Sequence, residues 1–325
     1  MQAIIYETYG SPDVLELKHI AKPTPKRDEV LVRVHAASAN PLDWHFMRGE
    51  PFLARFANGL RKPKTTRLGA DIAGLVEAVG AEVTQFRPGD AVFGENFAGG
   101  LGGFAEYVAV PERTLVLKPA KLSFEAAAAV PVAALTALQG LRNKGKLQPG
   151  QKVLVNGASG GVGTFAVQIA KALGAEVTGV CSTRNVELVR EIGADAVIDY
   201  TQADFTRNGQ QYDLIFDAVG NRSVADLERA LKPRGICAVA GFTTLSRMFQ
   251  LMVLGAWKSR TGSRQIGMMG TVRASQADLL FLKDLLEAGS IVPVIDRCYP
   301  LSETAAAIRY LETGRARGKV IITVP

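Results

Sequence analysis

The stretch Val153-Leu154-Val155-Asn156-Gly157-Ala158-Ser159-Gly160-Gly161-Val162-Gly163 holds the residue types and spacing best suited to chemistry. A β-branched run leads straight into glycines, and an apolar helical pattern from Thr164 to Lys171 opens directly after them. Glycine permits a tight turn and lets the backbone approach a diphosphate. The free N–H groups and positive dipole end of the following helix then meet its charge. The spacing is G-x-x-G-x-x-G (Gly157, Gly160, Gly163) rather than G-x-G-x-x-G. The flanking strand, helix and second strand over 177–181 therefore carry the assignment to a dinucleotide. The candidate contacts are Gly157, Ser159, Gly160, Gly161, Val162 and Gly163. A close-packed strand-to-helix turn with no ligand would use the same glycines.

After the second strand the chain reads Cys181-Ser182-Thr183-Arg184-Asn185, with no carboxylate where an NAD site bonds the ribose 2′-OH. A hydroxyl at Ser182 and a guanidinium at Arg184 suit a 2′-phosphate, because arginine meets phosphate through a planar fork. The expected cofactor is NADPH. Ser182 or Thr183 would equally serve as a helix cap with Arg184 in solvent. Tyr200, ending the third strand, is a candidate for the adenosine end or simply a strand-end aromatic. Ligands of open sheets lie beyond the strands' C-terminal ends, near the point where strand order reverses. That singles out Val219, Gly241 and Phe242 for the nicotinamide side, although core and turn roles would also account for them.

These residues need a scaffold. From residue 152 the pattern alternates strand and helix: strands over 153–156, 177–181, 196–199, 214–218 and 236–240, and helices over 161–173, 186–192 and 224–231. Such alternation implies a parallel sheet with helices on both faces. The first third reads instead as short strands (30–36, 73–79, 91–93, 107–110) between Gly- and Pro-containing turns, as in a small barrel or sandwich. Ser123 caps a helix at the change of texture, and the tail predicts a helix over 303–312 and a strand over 319–324.

Composition narrows the class. The chain has 325 residues, 47% hydrophobic and 21% charged, which excludes a disordered chain and suits about two domains. The net charge of +7 favours anionic partners. The run from Arg55 to Arg67 reads as a solvated loop, and no aromatic-interleaved basic patch of an RNA module is present. Cys181, Cys237 and Cys298 lie far apart, which excludes a disulfide framework or a cysteine-rich zinc knuckle and fits a reducing compartment. No signal-peptide pattern opens the chain, and its longest uncharged run, 126–141, is too short for a span. A cytoplasmic, full-length protein with no membrane partner is expected.

Five stretches together are specific: Ala37-Ser38-Ala39-Asn40-Pro41-Leu42-Asp43, Gly69-Ala70-Asp71-Ile72-Ala73-Gly74, residues 127–138, residues 157–163, and Gly318-Lys319-Val320. Over nearly its full length the chain resembles the medium-chain dehydrogenase/reductase superfamily, and within it the zinc-free NADPH:quinone oxidoreductase branch. The resemblance implies an α/β protein with a GroES-like, β-rich catalytic domain (1–124 and 290–325) and a doubly wound Rossmann domain (125–289). It also implies a homodimer, with 266–272 as the edge strand pairing across it. The zinc-dependent branch carries Cys where this chain has Asn40, and Gly-His-Glu where it has Gly69-Ala70-Asp71. Its structural zinc needs cysteines that 95–110 lack. No metal is expected.

Without a metal, an alcohol or plain ketone is a poor substrate, because nothing stabilises the developing alkoxide. A quinone or α,β-unsaturated carbonyl is already electrophilic. The expected reaction is hydride transfer from NADPH to such an acceptor. The alternatives are a zinc-type alcohol dehydrogenase, or an NADPH- or nucleic-acid-binding protein with little catalysis. The expected catalytic residues are Asn40, as an amide donor to the nicotinamide or substrate carbonyl or as an Asn-Pro turn, and Thr136, where the family keeps a threonine near the nicotinamide ribose. His45 replaces the tyrosine of many quinone reductases and is read as an acid or a surface histidine; Asp43 is expected to fix the loop. Lys319, or Arg317, is expected at the cofactor phosphates. Residues 245–264 are read as a wall or lid of the acceptor pocket, or as dimer packing.

Overall fold

The computed structural model describes residues 1–52, 55–97 and 99–325. The chain divides into two units: Met1–Ala133 with Arg273–Asp284 and Pro293–Pro325, and Ala134–Val272 with Leu285–Val292.

The first unit is built on a seven-stranded sheet ordered Ile295–Pro300, Lys319–Thr323, Glu29–Ala39, Asp71–Val79, Ala91–Glu95, Leu115–Leu117, with Tyr107–Pro111 also on Glu29–Ala39. Every pairing is antiparallel except that of Ile295–Pro300 with Lys319–Thr323. Alternation places Val30, Val32 and Val34 on one face, all fully buried, as period-2 patterning requires. The helix Pro41–Arg48 follows the longest strand directly, with proline at its first position, where the missing N–H costs nothing. The sequence reading did not anticipate this helix, the helix Gln276–Glu287 or the strand Ile295–Pro300. The last has three half-buried and three exposed residues and none buried, so its apolar signal is weak.

The second unit holds six parallel strands ordered Ala196–Asp199, Glu176–Cys181, Lys152–Asn156, Tyr212–Asp217, Leu231–Val239, Gln265–Met268. Order reverses between Lys152–Asn156 and Tyr212–Asp217, which is the topological switch of a Rossmann sheet. Val153, Leu154, Val155, Leu214, Ile215 and Phe216 are fully buried, because helices cover both faces. Gly161–Ala172, Val186–Glu191 and Val224–Ala230 are the crossover helices. Ser123 caps Phe124–Ala128 by accepting the Ala126 N–H, as its position before an apolar run implied.

Candidate active site

Three strands of the first unit converge through their register. Ser38 lies opposite Asp71, and Val320 opposite Ala39, which brings Lys319 beside Asn40. Asp71 Oδ2 accepts from Ser38 Oγ at 2.6 Å, Asn40 Nδ2 at 2.9 Å and Lys319 Nζ at 3.3 Å, while Oδ1 accepts the Val132 amide at 2.8 Å. Lys319 Nζ also donates to Asn40 Oδ1 at 2.6 Å. Ser38 and Asp71 are fully buried, and Asn40 and Lys319 are 3% exposed. A carboxylate and an ammonium this deep are tolerable only as a pair with their remaining positions hydrogen-bonded.

This geometry corrects two expectations. Asn40 gives one N–H to Asp71 and the other to the Ser38 carbonyl at 3.2 Å. A primary amide has two N–H groups, so none is left for a substrate or nicotinamide carbonyl. Lys319, expected at the cofactor phosphates, is instead committed to Asn40 and Asp71, because it opens a buried strand beside a buried carboxylate. Its neighbour Arg317 is exposed.

Asp43 sits in the first turn of Pro41–Arg48 and is fully buried. Its carboxylate accepts the Gly69 and Asn40 amides, each at 2.8 Å, tying the loop to the helix start. Burial pushes its pKa up to about 7, against the lowering effect of those two amides. His45 is half-buried and stacked on Trp44, with ring centroids 3.6 Å apart. Its Nδ1 contacts the Glu50 carbonyl at 2.8 Å; a carbonyl only accepts, so Nδ1 carries the proton. Burial holds the His45 pKa below its usual value, so near pH 7 the ring is neutral and Nε2 is an acceptor. Thr136, on the helix Pro131–Leu138, belongs to the second unit and is 9% exposed.

In the second unit the glycine turn makes a cradle. Gly157 has φ of +83°, a left-handed conformation open to glycine, and a Cβ there would meet Val219 Cγ2 at 2.7 Å. A Cβ on Gly163 would lie 2.0 Å from the Gly157 carbonyl, so the helix rests directly on the turn. A Cβ on Gly160 would meet nothing nearer than 3.5 Å, so that glycine keeps open the space over the start of Gly161–Ala172. The Gly161, Val162 and Gly163 amides belong to the helix's first turn and have no intrahelical acceptor. A diphosphate fits these groups.

Other candidate residues lie at the neighbouring strand ends. Gly220, with φ of +66°, packs against Gly241 and Phe242, where a Cβ would lie 2.1 Å from the Gly241 carbonyl. The side chain of Tyr200 is exposed, and its amide donates to the Cys181 carbonyl at 3.0 Å, so it lies beside the strand end preceding Ser182 and the exposed Arg184. The structure adds Asp199: it accepts from Thr183 Oγ1 at 2.6 Å, a bond that holds its carboxyl below the usual range.

Sequence reasoning missed the supports. Asn185, 4% exposed, donates to Ser159 Oγ at 2.9 Å and to Ser182 Oγ at 3.3 Å, linking two candidate contacts. Fully buried Asp217 accepts from the Asn156 side chain and the Val219 and Gly220 amides, holding the turn after its strand. Burial raises its pKa. The available signal was a polar residue ending each apolar strand, Asn156 and Asp217, and one opening each of two others, Asp71 and Lys319.

Two family models match the chain: an alcohol dehydrogenase GroES-like domain over residues 26–120 and a zinc-binding dehydrogenase over 192–322. The chain is 36% identical to a 2-methylene-furan-3-one reductase of Solanum lycopersicum, across 99% of this chain and 79% of that one. It is 34% identical to a chloroplastic NADPH-dependent alkenal/one oxidoreductase of Arabidopsis thaliana, with the same coverage of 99% and 79%. The solved quinone oxidoreductase of Coxiella burnetii superposes with a TM-score of 0.87 at 32% identity, over 100% of this chain and 99% of that one.

Proposed function

We propose a chemistry for this chain from one premise: it belongs to the medium-chain dehydrogenase/reductase superfamily, in its quinone oxidoreductase-like branch. The protein is an NADPH-dependent oxidoreductase that reduces a quinone or an α,β-unsaturated carbonyl without a metal. The relatives' names support the acceptor class and the cofactor. One observation carries the metal-free reading. The zinc branch's Cys and Gly-His-Glu fall on Asn40 and Gly69-Ala70-Asp71; Ala70 carries no donor, and Asn40 and Asp71 hold the Lys319 ammonium between them. Zinc takes thiolate, imidazole or carboxylate donors. This cluster offers an amide, a hydroxyl and one carboxylate already neutralised, and a fixed ammonium repels a dication. Zinc does not fit these residues.

NADPH, when bound, supplies a hydride. The residues of the chain do the rest. The first-turn amides of Gly161–Ala172 hold the diphosphate and leave Gly160 clear for it. Ser182 and Arg184 take the 2′-phosphate, with Asn185 fixing Ser182. Val219, Gly241 and Phe242 border the nicotinamide side, Tyr200 the adenosine end, and Thr136 the nicotinamide ribose. Lys319, buried between Asp71 and Asn40, holds the Asn40 loop in place. Asn40 and Asp43 position rather than react. The protein works as a cytoplasmic homodimer, joined through the free edge of Gln265–Met268.

The test is NADPH oxidation against quinones, enals, enones, plain ketones and alcohols, before and after dialysis with a zinc chelator. Turnover confined to the first three classes and unchanged by the chelator is expected. Alcohol oxidation that chelation abolishes would overturn the reading.

A further inference from the structure

Asn185 holds two half-buried serines at once. Its Nδ2 donates to Ser159 Oγ at 2.9 Å and to Ser182 Oγ at 3.3 Å, which uses both N–H groups of the amide. Its Oδ1 is buried and has no hydrogen-bond partner. The residue types here invite a plainer role. Ser182 is the N-cap of the short turn Thr183–Asn185, and Asn185 is the N-cap of the helix Val186–Glu191. Serine and asparagine are favoured at such positions because their side-chain oxygen takes a free helix amide. Neither side chain makes that bond. Ser182 is therefore not the side-chain cap that its place in the sequence allowed, and Asn185 turns its amide back to the serines instead.

The direction of these bonds fixes the polarity of the serines. A hydroxyl has one proton and two lone pairs. Each serine oxygen spends a lone pair on Asn185, and among the described residues neither hydroxyl proton meets an acceptor. Both protons are left to point away from Asn185. Turned about, the amide would offer Oδ1 to the two hydroxyls, which would then donate inward and present only lone pairs. Thr183 shows that opposite case: its Oγ1 donates to the Asp199 carboxylate at 2.6 Å, so its proton is spent. A phosphate dianion carries acceptors and no donor, so it is held by hydroxyls of the first polarity and repelled by those of the second. A ribose 2′-hydroxyl both donates and accepts, and either polarity serves it.

We infer that Asn185 is a positioning residue for cofactor choice: it aims the Ser159 and Ser182 hydroxyls outward, as paired donors to the 2′-phosphate of NADPH. It acts through the two serines and touches no cofactor itself. One nitrogen reaches both oxygens, so the two hydroxyls stand close enough together to grip a single phosphate. The space beside Ser159 is open, since a Cβ on Gly160 would meet nothing nearer than 3.5 Å. The inference rests on the reading that places the 2′-phosphate at Ser182 and Arg184, and adds to it the group that makes the serines selective.

The test is calorimetric titration with NADPH and with NADH, and it needs no turnover. It uses the full chain, Asn185→Leu, the pair Ser159→Ala with Ser182→Ala, and the variant carrying all three changes. Leucine removes the two N–H donors without adding charge, and Asn185→Ala repeats the test without leucine's bulk. Asn185→Leu should weaken NADPH binding roughly tenfold and leave NADH binding within about twofold, so that NADH reports an intact site. With both serines already replaced, the same change should cost NADPH binding nothing further. Equal losses for the two cofactors would make Asn185 a support of the fold alone and overturn the inference. So would an undiminished loss in the background lacking the serines, or NADPH affinity unchanged by either substitution at 185. The parent reading fails separately: if replacing both serines leaves NADPH binding as it was, the 2′-phosphate does not lie there, and this inference falls with it. Serines that matter while Asn185 does not would sink the inference alone.

Discussion

Lys319 Nζ stands 2.6 Å from Asn40 Oδ1, although 279 positions separate the two residues along the chain. The contact follows from register, since Val320 pairs with Ala39 across antiparallel strands. Asp71, brought in by the next ladder, neutralises the ammonium and claims the amide of Asn40.

Breaking that pair from one side leaves a buried charge. Lys319→Met should destabilise the protein by about 3–5 kcal/mol, because it leaves the buried Asp71 carboxyl without its cation. Adding Asp71→Asn should recover a large part of the loss. Denaturant unfolding of both single variants and the double variant measures the coupling. Additive effects would refute the pairing.

The cradle glycines separate binding from folding. Gly160→Val should leave the thermal midpoint nearly unchanged, because a Cβ there meets nothing within 3.5 Å, yet it should abolish NADPH binding. Gly163→Val should unfold or strongly destabilise the second unit, because its Cβ would lie 2.0 Å from the Gly157 carbonyl. Calorimetric titration with NADPH and a melting curve on each variant check both. Unimpaired binding by Gly160→Val would remove the diphosphate from this turn.

On the proposed site, Arg184 and Asp199 would act on the 2′-phosphate in opposite directions. Losing a charge-assisted hydrogen bond costs about 1.5–3 kcal/mol. Arg184→Ala should therefore weaken NADPH binding roughly 10- to 100-fold while leaving NADH nearly unaffected. Asp199→Asn, which removes the carboxylate held by Thr183, should shift preference further toward NADPH. Equal losses for both cofactors in Arg184→Ala would contradict the assignment.

His45 should prove dispensable as a proton donor. A general acid typically contributes 10²–10⁴-fold, so a fall in kcat of less than about tenfold in His45→Gln would mark a positioning role. Its depressed pKa also has a stability signature. The folded state favours the neutral ring, so His45 contributes stability above pH ~6.5, the unfolded value, and loses it as pH falls through the lower folded value. The His45→Gln variant should gain on the parent protein as pH drops from about 6.5 toward 5, in paired melting curves.

The amino-acid sequence determined what local rules govern. The β-branched run before Gly157, the glycines and the helix after them sit within a dozen residues, so backbone freedom and the helix dipole made that turn legible. Strand alternation over 30–36 and the cap at Ser123 were readable for the same reason, since each depends only on near neighbours. Tertiary structure alone decided the rest. That Asn40 spends both its N–H groups within the protein, and that Lys319 is held away in a buried pair, depends on register between strands far apart in sequence. The same holds for Asp199 beside Thr183. The apolar residues of 245–257 carried a hydrophobic pattern in the sequence, but which face turned outward was set by Gly255 and Ser259 against Ile266. Periodicity measures how much of a helix is apolar; only packing against a neighbour determines which side water sees.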